Sequence, residues 1–323
     1  MQSIPYSSLV NQCLLEITSD GLIDPSTGVL YPIINGIPRF CPHENYSESF
    51  GFQWNIFDTT QLDVYSGSDL SEVRFYASTG WDKDLLSCSA VLEVGCGAGR
   101  FSEVFLRSTT GVLHSIDYSS SVEVNKRNNA IYGNRLQLAQ ASIYDIPYLN
   151  NTFDFVFCLG VLQHTPSFSN SVKSLINKTR VGGEIVVDFY SINGWYTKIH
   201  SKYIFRPITK RLPKTMLLKC IRLNIRWMLV LFDLLRSLGL GVLNRFIPIT
   251  DVSKFPNNLS TAQRREWAVM DTFDAFSPEF DNPQTVKNVS RMFSNFGCEV
   301  THAGWVHFRN GPAMVVRAIK RSA

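Results

Sequence analysis

Long apolar runs are missing from this 323-residue chain. No uninterrupted stretch approaches the ~20 residues a helix needs to cross a bilayer. Met1-Gln2-Ser3-Ile4-Pro5 has neither the basic region nor the apolar run of a secretory leader, so a cytoplasmic setting is expected. Cysteine is sparse, odd in number at seven and scattered, which indicates no disulfide framework. Cys88, Cys96 and Cys158 fall in or beside strand-like runs, where the thiol serves as a small hydrophobe. Close cysteine pairs are lacking too. Near the N-terminus only Cys13 and Cys41 are at hand, and even with His43 they fall short of the four ligands of structural zinc, so no metal is expected. Acidic residues are absent between Asp188 and Asp233, where nine of the 31 Lys and Arg residues lie, leaving 22 basic against 27 acidic elsewhere. One segment therefore carries the positive field. What remains is ample for a core: 45% of residues are apolar, and the length suits one core domain with additions.

The densest signal is Val91-Leu92-Glu93-Val94-Gly95-Cys96-Gly97-Ala98-Gly99-Arg100-Phe101. A strand-like run enters three glycines at alternate positions, and a helical pattern starts at once from Arg100. Strand, tight turn and helix make a cofactor-binding corner. Gly95 and Gly97 let the backbone turn sharply and bring its N–H groups against a ligand where a Cβ would collide; the helix N-terminus behind them favours an anion. The spacing is G-x-G-x-G, with Glu93 two positions ahead, and differs from the G-x-G-x-x-G of dinucleotide sites.

This E/D-x-G-x-G-x-G pattern resembles the first motif of class I S-adenosylmethionine-dependent methyltransferases, in particular members from bacterial polysaccharide and secondary-metabolite gene clusters. The resemblance implies a doubly wound, Rossmann-like α/β fold: a seven-stranded, mostly parallel sheet with a C-terminal antiparallel hairpin, joined here by a small N-terminal β module and a helical insertion. It implies S-adenosyl-L-methionine as cofactor, with Glu93, Gly95, Cys96, Gly97, Gly99 and Arg100 around its amino-acid end. Asp117, closing the next strand beside Tyr118, would accept both ribose hydroxyls. At the adenine position Ser142, next to Ile143, stands where the family usually has aspartate, while Asp145-Ile146-Pro147 keeps the later part of that turn. The run from Phe153 to His164 resembles the family's F-D-x-V-x-x-x-x-V-L-x-H, which would lay Leu159, Gly160 and Val161 along the cofactor.

Four pieces follow. Residues 1–47, with turn signals at Ser19-Asp20-Gly21, Pro25-Ser26-Thr27-Gly28 and Asn35-Gly36, read as a small β-hairpin module; it is similar to a zinc-ribbon-like domain that precedes some family members, reduced to a metal-free remnant. Residues 48–89 form an aromatic-rich cap segment in which Arg74 and Trp81 are open between packing and cofactor contact. Residues 90–190 and 282–323 form the core. Within it the sequence predicts a serine-capped helix from Ser119 to about Ile131, a strand over 136–140 and a helix from Ser167 to Lys178. Gly182-Gly183 should then turn into a strand over 184–189. A later helix should be capped by Asn282-Pro283 and ended by Gly297, before strands over 298–303 and 313–319. Residues 191–281 are a helical lid. Within them 216–243 read as a basic amphipathic helix, suited to peripheral contact at the inner membrane face or to plain packing on the core.

Holding donor and acceptor in line can supply about 7–11 kcal/mol of a methyl-transfer barrier, and a hydroxyl acceptor gains further from proton removal. His164, leaving the fourth core strand, is the candidate base, weighed against a structural role. Tyr190, Asp271 and Asp274 are substrate-side candidates. The partner expected is a small hydroxylated acceptor, such as a saccharide or lipid-linked saccharide. A quinone or polyketide ring, a tRNA bound through the basic segment, and a non-catalytic cofactor-binding partner subunit stay open. A nucleic-acid partner is not expected, since no Asn-Pro-Pro-Tyr motif follows the fourth strand.

Overall fold

The computed structural model describes residues 4–42, 45–192, 194–309 and 311–322. His43, weighed above for zinc, and Met1-Gln2-Ser3 of the leader reading lie outside the described residues. β1 (Glu16–Ile17), β2 (Gly21–Ile23), β3 (Leu30–Ile34) and β4 (Ile37–Pro38) form a small antiparallel sheet. A helical stretch follows: α1 (Glu48–Ile56), α2 (Asp63–Ser66), α3 (Leu70–Thr79) and α4 (Lys83–Ser87). The core then alternates β5 (Val91–Val94), α5 (Arg100–Ser108), β6 (Leu113–Asp117), α6 (Val122–Asn128), β7 (Leu136–Gln140), β8 (Phe153–Cys158), α7 (Phe168–Lys178) and β9 (Thr179–Phe189). After α8 (Ser201–Thr209), α9 (Lys214–Ser237) and α10 (Thr261–Phe276), the chain closes with α11 (Val286–Asn295), β10 (Cys298–Phe308) and β11 (Gly311–Lys320).

The main sheet has seven strands in the order β10-β11-β9-β8-β5-β6-β7. β7, β6, β5, β8 and β9 are parallel, and the last hairpin adds antiparallel to β9. This is the Rossmann-like sheet the sequence predicts. Strand order reverses beside β5, which opens a crevice at the carboxyl ends of the parallel strands, where ligands collect in such folds. Alternate residues of the strands serve the two faces. Leu92, Val94 and Val156 pack with α7, α11 and the small N-terminal sheet, while Val91, Phe155 and Phe157 pack with α3 and α5.

Several local expectations are corrected. β9 starts at Thr179, directly after α7, and not at 184; the register shift between Phe153 and Phe155 of β8 absorbs 180–183 as a bulge. A Cβ on Gly183 would lie 2.8 Å from the Asp154 carbonyl, so glycine there permits close strand contact. The helix after Asp117 starts only at Val122, with no serine side-chain cap, because Ser119 Oγ donates to Asp117 Oδ1 at 2.7 Å. Thr285, and not Asn282, caps α11, its Oγ1 accepting from Asn288 N at 3.2 Å. Asn282 is engaged elsewhere, donating to the Thr165 carbonyl at 2.8 Å. Trp81 is buried against Phe155 and donates to Glu184 Oε2 at 2.9 Å, which makes it a packing residue.

The insertion and the aromatic segment share one apolar cluster. Phe57 and Leu70 pack with Ile221 and Ile225 of α9 and with Trp267 and Phe273 of α10, and Phe52 meets Phe273 at 5.6 Å. α10 opens with a capping box between Ser260 and Gln263. The helix expected over 216–243 spans 214–237 and gives way to a 3-10 turn over Gly241–Phe246. Among the described residues no helix is long and apolar enough to cross a membrane.

Candidate active site

β5 runs into the glycine loop with Gly95, Gly97 and Gly99 all at positive φ, +85°, +52° and +90°. A Cβ on Gly95 would lie 2.3 Å from Val161 Cγ2, and one on Gly97 would lie 3.0 Å from Trp54 Nε1. The loop is therefore glycine both for its turn and for the side chains that close over it. Gly95 N and Cys96 N donate to the Ile116 carbonyl, and Gly97 N donates to Asp117 Oδ2 at 2.9 Å. The other oxygen of Asp117 accepts from Ser119 N and Ser119 Oγ. The loop and the acid that ends the next strand are thus one hydrogen-bonded unit.

α6 fastens the loop from behind. Asn128 donates to the Ala98 carbonyl at 2.8 Å and Asn129 to the Gly99 carbonyl at 3.2 Å. Asn125 donates to Ser102 Oγ at 2.9 Å, and Ser102 Oγ in turn donates to Glu93 Oε2. The sequence reading missed these asparagines, although two in one seven-residue helix and a third at its C-cap are a signal in a structure where Asn is a poor helix former.

A cavity of about 690 Å³ lies along the carboxyl ends of the strands, within the range of small-molecule sites. Gly95, Cys96, Gly97, Arg100, Asp117 and Tyr118 line it, joined by Ile143, Leu159, Gly160 and Val161. Arg74, His164, Tyr190, Asp271 and Asp274 line it too. Glu93, Gly99 and Ser142 do not. Glu93 points under the loop, 2% exposed, between Ser102 Oγ and Ser115 Oγ. Gly99 faces Asn125 and Asn129, and Ser142 Oγ accepts from Tyr144 N at 3.1 Å, closing its own turn and leaving Ala141 and Ile143 at the wall.

The charged side chains of the cavity are held by partners. Asp188 ends β9, accepts from Gly160 N, and pairs with Arg74 at 2.5 Å. Its place in the apolar run 185–189 that closes β9 was the signal for it. Arg100 donates to Ser71 Oγ at 2.8 Å and Gln61 Oε1 at 3.3 Å; burial and then the neighbouring Arg74 charge bring its pKa down to about 10. Asp271, reached by Gln61 Nε2 at 3.2 Å, is pushed up to about 7 by burial and by Asp274 beside it. Tyr190 donates to Asp274 Oδ2 at 3.3 Å, and Lys202, paired with Asp281 at 2.9 Å, sits over the Tyr190 ring. His164 is 5% exposed with its Nδ1 at 3.2 Å from the Phe280 carbonyl. Because a carbonyl only accepts, that nitrogen carries the proton and Nε2 keeps its lone pair. Burial holds the imidazole below its ordinary pKa, so it is neutral near pH 7.

Glu93 supplies a pH test of this framework. Burial pushes its carboxyl from 4.5 up to about 7. Between those values the folded chain holds a proton that the unfolded chain releases, so stability falls as pH rises through the window and levels off above it, by at most ~1.4 kcal/mol per pH unit. Glu93→Gln is expected to flatten that slope in urea-unfolding midpoints across the window. An unchanged slope would contradict the buried, protonated carboxyl.

An alternating sheet with its glycine loop under the reversal point, an acid closing the next strand and an open floor at Gly160, where a Cβ would meet nothing within 4 Å, fits a nucleoside cofactor with a charged tail. The domain class this defines is the class I S-adenosylmethionine-dependent methyltransferase, and its cofactor is S-adenosyl-L-methionine. Residues 92–187 match the family model described as "Methyltransferase domain", and the chain carries a domain of that family. An uncharacterized chloroplastic methyltransferase of Arabidopsis thaliana is 27% identical over 48% of this chain and 49% of its own. The tRNA U34 carboxymethyltransferase of Proteus mirabilis is 27% identical over 64% of this chain and 61% of its own. The chain thus spans about half the length of the first relative and 61% of the second. Magnesium protoporphyrin IX methyltransferase from Synechocystis, solved with bound SAH, aligns at a TM-score of 0.45 and 15% identity, covering 85% of this chain and 96% of that chain. Among the described residues no group of three or more His, Cys, Asp or Glu is arranged to hold a metal ion.

Proposed function

We propose that this protein is an S-adenosyl-L-methionine-dependent methyltransferase acting on a hydroxyl of a small acceptor, with a saccharide or lipid-linked saccharide as the acceptor class. The observation that carries the reading is the group of proton-handling side chains that line the same cavity as the glycine loop: His164, Tyr190, Asp271 and Asp274. When bound, S-adenosyl-L-methionine supplies an electrophilic methyl group. The chain's own residues do the rest. The N–H groups of Ala98 and Arg100 at the start of α5 and the Arg100 guanidinium would hold a carboxylate-bearing tail, Asp117 the ribose hydroxyls, and Ile143 the face of the adenine. His164, neutral and with Nε2 free to accept, would take the proton of the acceptor hydroxyl. Asp271, at about 7, can accept a hydrogen bond from a second hydroxyl without the full cost of a buried charge. Residues 191–281 act as a lid, because α10 brings Asp271 and Asp274 to the cavity.

A quinone-like ring is the second reading. It is favoured by an adjoining chamber of about 360 Å³ whose walls include Phe255, Trp267, Trp305 and Phe308. Incubating the protein with methyl-labelled cofactor and fractionated small-molecule extracts separates the readings. Label on a sugar hydroxyl supports the first, label on an aromatic ring the second, and no transfer to any fraction despite cofactor binding would leave a non-catalytic subunit. His164→Ala should keep cofactor affinity and slow turnover by about 10²-fold or more, the usual worth of a positioned base. Unchanged turnover would make His164 structural.

A further inference from the structure

α9 has three faces. Leu217, Ile221, Ile225, Met228 and Phe232 are buried in the cluster shared with α10. Lys219, Arg222 and Arg226 form an exposed basic face. The third face is apolar and exposed: Met216, Leu223, Trp227, Val230, Leu234 and Leu238, each at least half open to solvent. Their steps of seven, four, three, four and four residues keep them on one stripe, away from the buried face. A helix of a soluble surface ordinarily turns polar side chains outward, and a continuous apolar stripe marks an interaction site.

The elements beside α9 repeat the pattern. In α8, Arg206 is buried and Lys202 half-buried toward the cavity side, while Ile204, Phe205 and Ile208 are exposed. Trp195 and Val242, each 79% exposed, belong to two 3-10 turns that Arg245 ties together by donating to the Tyr196 and Ile199 carbonyls at 2.6 Å each. Negative charge is scarce here. No acidic residue lies between Asp188 and Asp233, and Asp233 itself is held by Arg264 in two hydrogen bonds.

We infer that the outer face of residues 195–246 docks on an anionic phospholipid bilayer. Apolar side chains flanked by Lys and Arg suit the boundary between acyl chains and anionic headgroups, and Trp and Tyr favour that depth. A second copy of the chain fits less well, since a twofold contact would set the same basic face against itself. The docking also has a direction. Thr197, His200, Lys202 and Tyr203 line the cavity, while Trp195, Ile199, Ile204 and Phe205 of the same segment are exposed. That wall of the 690 Å³ cavity is therefore the other side of the docking face. This inference stands apart from the choice of acceptor and from catalysis.

The test is co-sedimentation of the full chain with vesicles of phosphatidylcholine alone or of equal parts phosphatidylcholine and phosphatidylglycerol, with no cofactor or acceptor present. Binding should favour the anionic vesicles, by about fivefold for each basic side chain brought to the surface, and should weaken as salt is raised. Leu223→Glu/Trp227→Glu should cut binding at least about tenfold with cofactor affinity unchanged. Lys219→Glu/Arg226→Glu should remove the preference for anionic vesicles. Absent binding, or equal binding to both vesicle types, overturns the inference. So does a dimer in sedimentation velocity that Leu223→Glu/Trp227→Glu disperses, because a second copy would then cover the stripe. Each of these outcomes leaves the methyltransferase reading untouched, since none measures turnover.

Discussion

Asp117→Ala is expected to lose detectable cofactor binding while the chain stays folded. One carboxylate oxygen fastens Gly97 N and the other fastens the turn at Ser119, so the substitution both loosens the loop and removes the acceptor proposed for the ribose. Hydrogen bonds to a charged group are worth about 1.5–3 kcal/mol each, and losing two weakens affinity by at least about a hundredfold. Calorimetric titration with the demethylated cofactor product reads this directly. Near-normal affinity would overturn the ribose assignment. Asp117→Asn, which keeps one acceptor oxygen, should fall between the two.

Gly95→Ala is expected to damage both folding and binding. Its Cβ would overlap Val161, 2.3 Å away, at a φ of +85° that costs a non-glycine residue about 1–3 kcal/mol. Overpacking adds a further ~1–3 kcal/mol. Paired with Val161→Ala, the steric part should be relieved and only the backbone part remain. Thermal denaturation of the single and double variants separates the two terms; equal losses in both would mean that Val161 is not what excludes a side chain.

The sequence was legible where one local rule decided the outcome. The strand-like apolar run and the glycine spacing located β5 and the loop between β5 and α5, and the family resemblance built on them pointed to Asp117 at the end of β6 and to the run of β8. Legibility failed where a side chain had two possible partners. Ser119 could have capped α6 but turned to Asp117; Asn282 could have capped α11 but bonded Thr165. Neither choice is local. Glu93 is the sharper case. Its spacing to the glycines placed it at the ligand, yet strand alternation puts it on the face packed against α5, where two serines hold it. The joint packing of 48–89 with 191–281 was illegible for a different reason: contacts such as Tyr65 with Glu266 span most of the chain, and no pattern within either segment announces them.

The small N-terminal sheet is tied to the main one at β7: Arg39 bridges Gln140 in parallel, Phe40 N donates to the Gln140 carbonyl, and Tyr6 OH donates to the Leu138 carbonyl. Its hairpins can close on themselves early, but their landing strip is made about a hundred residues later, across a span whose closure costs roughly 4 kcal/mol in chain entropy. During synthesis the first forty residues therefore cannot dock until β7 has left the ribosome. Between that moment and docking, β7 keeps an unpaired border that another chain could join, so the delay before this one contact forms lengthens the time the nascent protein is open to aggregation.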